Sequence, residues 1–484
     1  MRLKYHEAAA WLGLAPRCGD RLLTSVATDS REVKPGALFV CIRGEHADGH
    51  DFVRQAEEAG AAAVLASRAL PRTKAPVLRV RDTIRALGRL AAYWRRSARA
   101  KVTGVTGTAG KTTLKELLAQ LLAVRGKTAR NALNFNNQIG MPRAVLTTDG
   151  DEDFWVMEAG ISREGDMEEL GEILRPDMGL ILNAGMGHTE RLGAGGVAAH
   201  KAALLRCLAP GGCGLISADY PDLVREAAAT GATLHFFSAG DASVKYYAVY
   251  EGPAPRHDGP DGVSGRYRLC LDGEWTSVVA PFRGEFGAEN CIAAAAAAHL
   301  MGLSGDEIAA GFRRAAMPAR RFSRKHFGGW DVIDDTYNAN PLSMRRMLDA
   351  ASELAEGRAF VPVLGEMLEL GDAAASEHEK LGLHLAKLAP AGVLWKGGHA
   401  PDILSGLKKS GYAGPFAVIG ERGNFIAAVQ GLLHDKNPDG RGGVILFKGS
   451  RRNRLEEEYA EFCARCRAGR DATGKTPGED EDVL

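Results

Sequence analysis

The sequence predicts an α/β fold in three domains, and three observations carry that prediction. Apolar runs of strand length alternate with stretches of helical period along most of the chain, the pattern of parallel sheets flanked by helices. The alternation restarts after Met317-Pro318-Ala319-Arg320, which reads as a domain hinge. The length, 484 residues, is ample for about three hydrophobic cores. The expected domains are residues 1–98, 99–316 and 317–467, followed by a polar tail at 468–484 that ends Gly-Glu-Asp-Glu-Asp-Val-Leu.

In the first unit, Leu38–Ile42, Ala62–Leu65 and Val77–Val80 read as short buried strands, with Asp51–Gly60 as a helix between two of them. Its polar residues gather in two turns, Thr28-Asp29-Ser30-Arg31 and Gly44–His50. Asp, Ser and Gly favour such bends, so ordinary turn chemistry alone could explain both.

The central domain is organised around Val102–Thr113, which reads as an apolar strand, a glycine-rich turn and the first turn of a helix. Leu114, Leu117, Leu118, Leu121 and Leu122 then form one apolar stripe, and Gly126 is a plausible stop. A glycine turn entering a helix aims free N–H groups and the positive helix end at one spot, which suits a phosphate. Gly107, Thr108, Ala109 and Gly110 would form the cradle, with Lys111 as a point charge and the Thr112 hydroxyl as a Mg²⁺ ligand. A full G-x-x-x-x-G-K-[ST] loop wants glycine where Val105 stands, leaving the shorter Gly107-x-x-Gly110-Lys111-Thr112-Thr113. A second Gly474-Lys475-Thr476 sits in the polar tail, without a strand before it.

Phe154–Glu158, Met178–Asn183 and Gly214–Ser217 continue the strands, and residues 240–283 suggest an antiparallel insertion. The alanine run Ala293–Ala298 reads as a close-packed helix. Beyond the hinge, Val332–Asp335, Phe360–Leu364, Val393–Trp395, Phe416–Ile419 and Val444–Phe447 predict a second open parallel sheet.

Several polar residues fall where strands should meet the phosphate loop. Glu158 closes an apolar strand, His188 lies in a glycine-rich loop after Asn183, and Lys201 opens a helix just beyond. A carboxylate and an imidazole could complete a Mg²⁺ shell begun by Thr112. A strand-end salt bridge and a solvent-facing histidine are the alternatives. Asn134-Phe135-Asn136-Asn137-Gln138 is dense in amides able to read a sugar or peptide, or simply to form turns. Asp334–Pro341 follows a buried strand at the edge where open α/β sheets take ligands.

Composition narrows the function classes. Lys plus Arg number 61 against 60 Asp plus Glu, so nothing points to nucleic acid or an acidic membrane surface. No apolar run approaches the ~20 residues of a membrane span. Met1–His6 lacks the apolar core of a signal peptide. Eight scattered cysteines fit reduced thiols in a cytoplasm. Cys463-x-x-Cys466 has no second pair nearby, which argues against zinc.

With these stretches in place, the chain resembles the Mur ligase family, the ATP-dependent ligases that build the peptide of bacterial cell-wall precursors. The resemblance runs from Thr28 to about Glu456. Its most specific pieces are Asn134-Phe135-Asn136-Asn137-x-Ile139-Gly140-x-Pro142, Asp334-Asp335-x-Tyr337-Asn338-Ala339-Asn340-Pro341, Gly365-Glu366-Met367-x-Glu369-Leu370-Gly371 and Lys448-Gly449-Ser450-Arg451. They point to the member that joins D-alanyl-D-alanine to UDP-N-acetylmuramoyl-tripeptide. The Asp-Asn-Pro-Arg motif of the diaminopimelate-adding relative is missing, although a Mur-type ligase for another amino acid or peptide is the alternative.

The resemblance implies a uridine-nucleotide domain, a central ATPase domain and a Rossmann-like last domain in a cytoplasmic, monomeric enzyme that uses ATP and Mg²⁺. By motif, Gly107–Thr113 take the ATP phosphates, while Thr112, Glu158 and His188 hold Mg²⁺. Lys201 matches a lysine that many members carry as a carbamate, so Lys111, Lys201 and His188 are the implied catalytic set. Asn290 matches the asparagine near adenine, and Arg320 and Asp335 match residues reaching ATP from the hinge and last domain. Thr28, Asp29, Ser30 and Arg31 match the uridine-nucleotide loop; Asn134, Asn136, Asn137, Asn338 and Asn340 are the implied substrate residues. Three positions depart from the family pattern: Lys201-Ala202-Ala203 replaces Lys-x-Glu, Pro318-Ala319-Arg320 replaces Pro-Gly-Arg, and Gly165-Asp166 replaces Gly-Glu.

Overall fold

A computed structural model describes residues 1–16, 21–132, 135–185, 196–255, 264–317, 320–327, 329–420 and 442–471, the last four without their side chains. These residues form three sheets and a small ribbon. In the ribbon, β1 (Leu3–Lys4) pairs antiparallel with β2 (Leu22–Leu23). Then β3 (Ser25–Ala27), β4 (Ala37–Val40), β5 (Ala63–Ala66) and β6 (Val77–Arg79) make an all-parallel four-stranded sheet. Every residue of β4 and β5 is buried, as covered parallel sheets demand.

The helix expected at Asp51–Gly60 is shorter, a 3₁₀ turn Gly49–Phe52 followed by Val53–Glu58. The Asp48 carboxylate accepts the His50 N–H at 3.0 Å and so caps the tighter turn. A longer helix, Thr83–Ser97, lies outside the expected elements and starts where Asp82 accepts the Ile84 and Arg85 N–H groups. Its Leu87, Leu90 and Trp94 share one core with Met141, Val145, Trp155 and Leu170, so apolar packing runs unbroken across residue 98. Arg95 fixes the junction, its Nη2 donating to Asp177 at 2.9 Å.

The central sheet has nine strands. β7 (Lys101–Thr106), β8 (Thr128–Arg130), β9 (Phe154–Glu158), β10 (Met178–Ile181), β11 (Cys213–Ser217) and β12 (Thr233–Ser238) are parallel, with β7 between β10 and β9. The segment expected to be an insertion instead extends this sheet. β13 (Tyr246–Pro253) pairs parallel with β12, then antiparallel with β14 (Gly265–Leu271), which pairs with β15 (Glu274–Ala280). The helix Glu285–Leu300 crosses beneath them, and its Ala293–Ala298 are fully buried because methyl side chains permit close packing.

The last sheet has the order β16-β17-β21-β18-β19-β20. β17 (Trp330–Asp335), β18 (Ala359–Gly365), β19 (Val393–Lys396), β20 (Phe416–Val418) and β21 (Gly443–Lys448) are parallel, as predicted. β16 (Ser323–Phe327) adds an antiparallel edge strand that the prediction lacks. Two apolar clusters cover its two faces. No described helix is long and apolar enough to cross a membrane.

Candidate functional site

β7 ends at Thr106, and Gly107–Gly110 turn the chain into the helix Lys111–Leu122. Gly110 sits at φ +78°, a left-handed conformation that glycine adopts freely. A Cβ there would stand 2.9 Å from Leu182 Cδ2. Asn183, the first residue but one after β10, accepts the Thr108 and Ala109 N–H groups at 2.8 and 2.9 Å and so braces the loop from behind.

Lys111 folds over this turn, donating to the Gly107 carbonyl at 2.8 Å. Its charged end is turned inward, and desolvation lowers its pKa; the Glu158 charge opposes that shift and Arg321 adds to it. Thr112 Oγ1 donates to Glu158 Oε2 at 2.9 Å, while Asn136 donates to Glu158 Oε1 at 2.7 Å. Glu158 is buried and held by its backbone too, for Asn131 pairs with both its N–H and its carbonyl. Lys201 lies in the last turn of the helix Gly196–Ala202, rather than opening one. It is buried, and desolvation drives its pKa well below the ordinary lysine value, with Lys111 repelling it and Glu158 attracting it. Loop lysine, threonine, carboxylate and second lysine thus form one electrostatic group.

The last domain closes over this group. Asn340 caps the helix Pro341–Ala355 by accepting the Ser343 N–H, and its Nδ2 donates to the Thr108 carbonyl at 3.2 Å. Asp335, at the end of β17, accepts Lys448 Nζ at 2.5 Å and the Phe322 N–H at 3.2 Å. Arg321 reaches Thr112 Oγ1 at 3.2 Å, with its guanidinium 4.1 Å from the Tyr337 ring centroid. Between the domains lies a cleft of about 60 Å³, lined in part by Gly110, Phe286, Asn290, Met317, Phe322 and Asp335. Asn290 Oδ1 is buried there without a hydrogen-bond partner. Such an orphan acceptor among apolar side chains fits the exocyclic amine of a purine.

Other expected site residues are placed differently. Arg320 is partly exposed, and its guanidinium stands 3.9 Å from Glu456. Asn137 spends its Oδ1 on the Ile139 and Gly140 N–H groups, starting the helix Gly140–Thr147. Asn338 is exposed, its Oδ1 accepting the Ala339 N–H. His188 and Asn134 lie outside the described residues. Asp29 caps the 3₁₀ turn Ser30–Glu32 and pairs with Arg31 at 2.6 Å, which pulls its pKa to about 2. Thr28 is half-buried, and Ser30 donates to Gln55 at 2.9 Å. This turn is tied to the amide loop, because Arg143 pairs with Glu32 at 2.7 Å and lies 4.9 Å from the Phe135 ring centroid. A larger cavity, about 790 Å³, opens on the first sheet beside Arg54, Arg68 and Lys74 and holds none of these residues.

Arg321, Asn183 and Lys448 were not among the residues assigned a role from sequence. Arg321 had a signal, since it directly follows the hinge arginine.

A strand–glycine loop–helix with an inward lysine, a threonine–carboxylate pair and a third domain contacting that loop defines a phosphate-loop nucleotide enzyme of the ATP-dependent ligase class. Residues 22–95 match the Mur ligase family catalytic domain, 105–298 the Mur ligase middle domain, and 320–451 the Mur ligase glutamate ligase domain. The chain belongs to the Mur ligase family. It is 32% identical over 445 residues to the UDP-N-acetylmuramoyl-tripeptide--D-alanyl-D-alanine ligase of Escherichia coli, covering 90% of this chain and 93% of that one. The Bacillus subtilis protein of the same name is 30% identical, covering 91% and 93%. A crystal structure of MurF from Acinetobacter baumannii superposes with a TM-score of 0.85 at 27% identity, covering 96% of this chain and 99% of that one.

Proposed function

We infer that this protein joins D-alanyl-D-alanine to UDP-N-acetylmuramoyl-tripeptide at the expense of ATP, in the cytoplasm and as a monomer. The single observation that carries the reading is the convergence of Lys111, Thr112 and Glu158 under residues of the last domain, in a chain that spans relatives of that activity almost end to end.

A tripeptide carboxylate oxygen attacks the γ-phosphorus, the bond to the bridging oxygen breaks, and ADP leaves with that electron pair. The amine of D-alanyl-D-alanine then attacks the acyl carbon; phosphate departs and the amine gives up a proton as the amide forms. Negative charge builds on the phosphoryl oxygens during the first step, and Lys111 and Arg321 stand ready to neutralise it. Thr112 and Glu158 offer two converging oxygens, a donor set that suits Mg²⁺, with His188 as a further ligand. Mg²⁺ held there supplies additional charge neutralisation. Asn290 reads adenine, Asp335 orients the nucleotide from the last domain, and Lys201 lies beside Lys111 and Glu158, as a free amine or as a carbamate that supplies an acid group. Thr28–Arg31 take the uridine nucleotide, and Asn134, Asn136 and Asn137 are the residues assigned to its peptide. The last domain also shields the acyl phosphate from water.

The test is the purified protein with ATP, UDP-N-acetylmuramoyl-tripeptide and single candidate acceptors. Phosphate release and a new amide product are expected only with D-alanyl-D-alanine. Product with a single amino acid instead would assign a different member of the family, and ATP turnover without any acceptor would contradict a ligase.

A further inference from the structure

Buried side chains join the phosphate loop to the last domain along a path that the reaction above does not use. Asn183 is fully buried, its Oδ1 accepting from Thr108 and Ala109. Its Nδ2 donates to the Ala109 carbonyl at 3.1 Å and to Glu289 Oε2 at 3.0 Å. Glu289, itself buried, also accepts Arg346 Nη1 at 2.6 Å and the Tyr220 hydroxyl at 3.0 Å. Arg346 Nη2 closes the ring by donating to Tyr220 at 3.0 Å. Asn183, Tyr220 and Glu289 belong to the central domain, whereas Arg346 comes from the helix Pro341–Ala355.

We propose that Arg346 is a positioning residue: docking of the last domain acts through Arg346 and Glu289 to fix the Asn183 amide, and with it the phosphate loop. An amide's two ends fill nearly the same space, so their partners decide which way it points. An ionised carboxylate only accepts, so Glu289 draws Nδ2 to itself and leaves Oδ1 facing the loop N–H groups. A cation and two neutral donors satisfy Glu289 in this buried place. When the last domain swings away, the cation goes with it. Glu289 then loses its charged partner and can turn from Nδ2 toward water, leaving the amide held by the loop alone. Loop order and domain docking therefore rise and fall together, so nucleotide binding and closure favour each other.

The inference rests on reading Gly107–Thr113 as the nucleotide loop, and calorimetric titration of the full chain with ADP tests it directly. Arg346→Met and Glu289→Gln should each weaken ADP binding about tenfold, as expected for one lost charge-assisted hydrogen bond. The double variant should be little worse than either single one, because both break the same path. Arg346→Lys should recover part of the loss, since an ammonium can reach Glu289 but cannot fork to Tyr220 as well. In turnover, the KM for ATP should rise while the KM for D-alanyl-D-alanine stays within about twofold. If Arg346→Met does not fold, the near-isosteric Glu289→Gln and Tyr220→Phe carry the test. Unchanged ADP affinity, or single losses that multiply in the double variant, would overturn the proposal. Wild-type protein that binds ADP but forms no amide would overturn the ligase reading and leave this path standing.

Discussion

Two adjacent arginines at the hinge make opposite predictions. Arg321 is within hydrogen-bond reach of Thr112, so an anion held by Thr112 and Lys111 meets its guanidinium at close range. Two unit charges ~4 Å apart interact by about 4 kcal/mol at an effective dielectric of about 20. Water and Lys111 would replace part of that in a variant, and deleting one preorganised donor typically costs about 10²-fold or more in kcat. Arg321→Met should therefore lower kcat about 10²-fold. It should also cost ~1 kcal/mol of stability, from the lost stacking on Tyr337. Arg320 pairs with Glu456 across 3.9 Å in a partly exposed setting, a contact worth at most about 1 kcal/mol. Arg320→Met should leave kcat within about threefold. Backbone geometry supports the distinction, since Arg320 and Phe322 both sit in the left-handed region, at φ +60° and +58°. Each such residue costs on the order of 1 kcal/mol or more, so the turn that presents Arg321 to Thr112 is held against that strain. Steady-state kinetics on both variants, with unfolding by urea alongside, decides the matter. A crippled Arg320→Met beside a near-normal Arg321→Met would refute the reasoning.

Gly110→Ala should weaken ADP binding by at least about tenfold and cost ~1–2 kcal/mol, because alanine is strained at φ +78°; calorimetry and urea unfolding check both. Arg31→Ala should raise the KM for the uridine substrate about tenfold with ADP affinity unchanged. In the same variant the Asp29 carboxyl should titrate above its present value of about 2, which NMR can follow. Lys201 has a folded-state pKa below its unfolded one, so the unfolded chain binds the extra proton and stability rises with pH up to the ordinary lysine range. Lys201→Met should flatten that rise; identical pH slopes in the two proteins would exclude a free buried amine at this position.

Legibility in the sequence followed the distance over which each feature is specified. Gly107–Thr113 could be read because one short segment supplies strand, turn and helix start together. Glu158 could be placed because a strand fixes where its last residue points. The amide loop was legible in kind but not in direction. Asn136 turns to Glu158 and Asn137 to its own helix start, and nothing local distinguishes those fates from substrate contacts. The pairing of Arg346 with Glu289 joins residues far apart in the chain, so no periodicity announces it. The helix Thr83–Ser97, by contrast, carries a clear local signal, since Asp82 precedes it and Leu87, Leu90, Ala91 and Trp94 recur at helical spacing on the face that meets Met141 and Trp155, so its absence from the expected elements has no physical cause in the sequence.

The interdomain contacts also bear on the order of events. The cleft between the domains, about 60 Å³, is smaller than the about 300–1,000 Å³ usual for small-molecule sites. In this arrangement the last domain stands directly against the phosphate loop, through Asn340 and Arg321. The hinge is anchored on its central side, where Gln120 Oε1 accepts the Ala316 N–H at 2.9 Å and Gln120 Nε2 donates to the Ala316 carbonyl at 3.2 Å. On the far side Phe322 is buried and tied to Asp335. Opening would part Arg321 from Thr112, Asn340 from Thr108 and Arg346 from Glu289. Two of these contacts fall directly on the phosphate loop and the third reaches it through Asn183. Closure thus restores the charge, the loop geometry and the water-excluding cover in one movement, which ties formation of the acyl phosphate to the enclosed state that protects it.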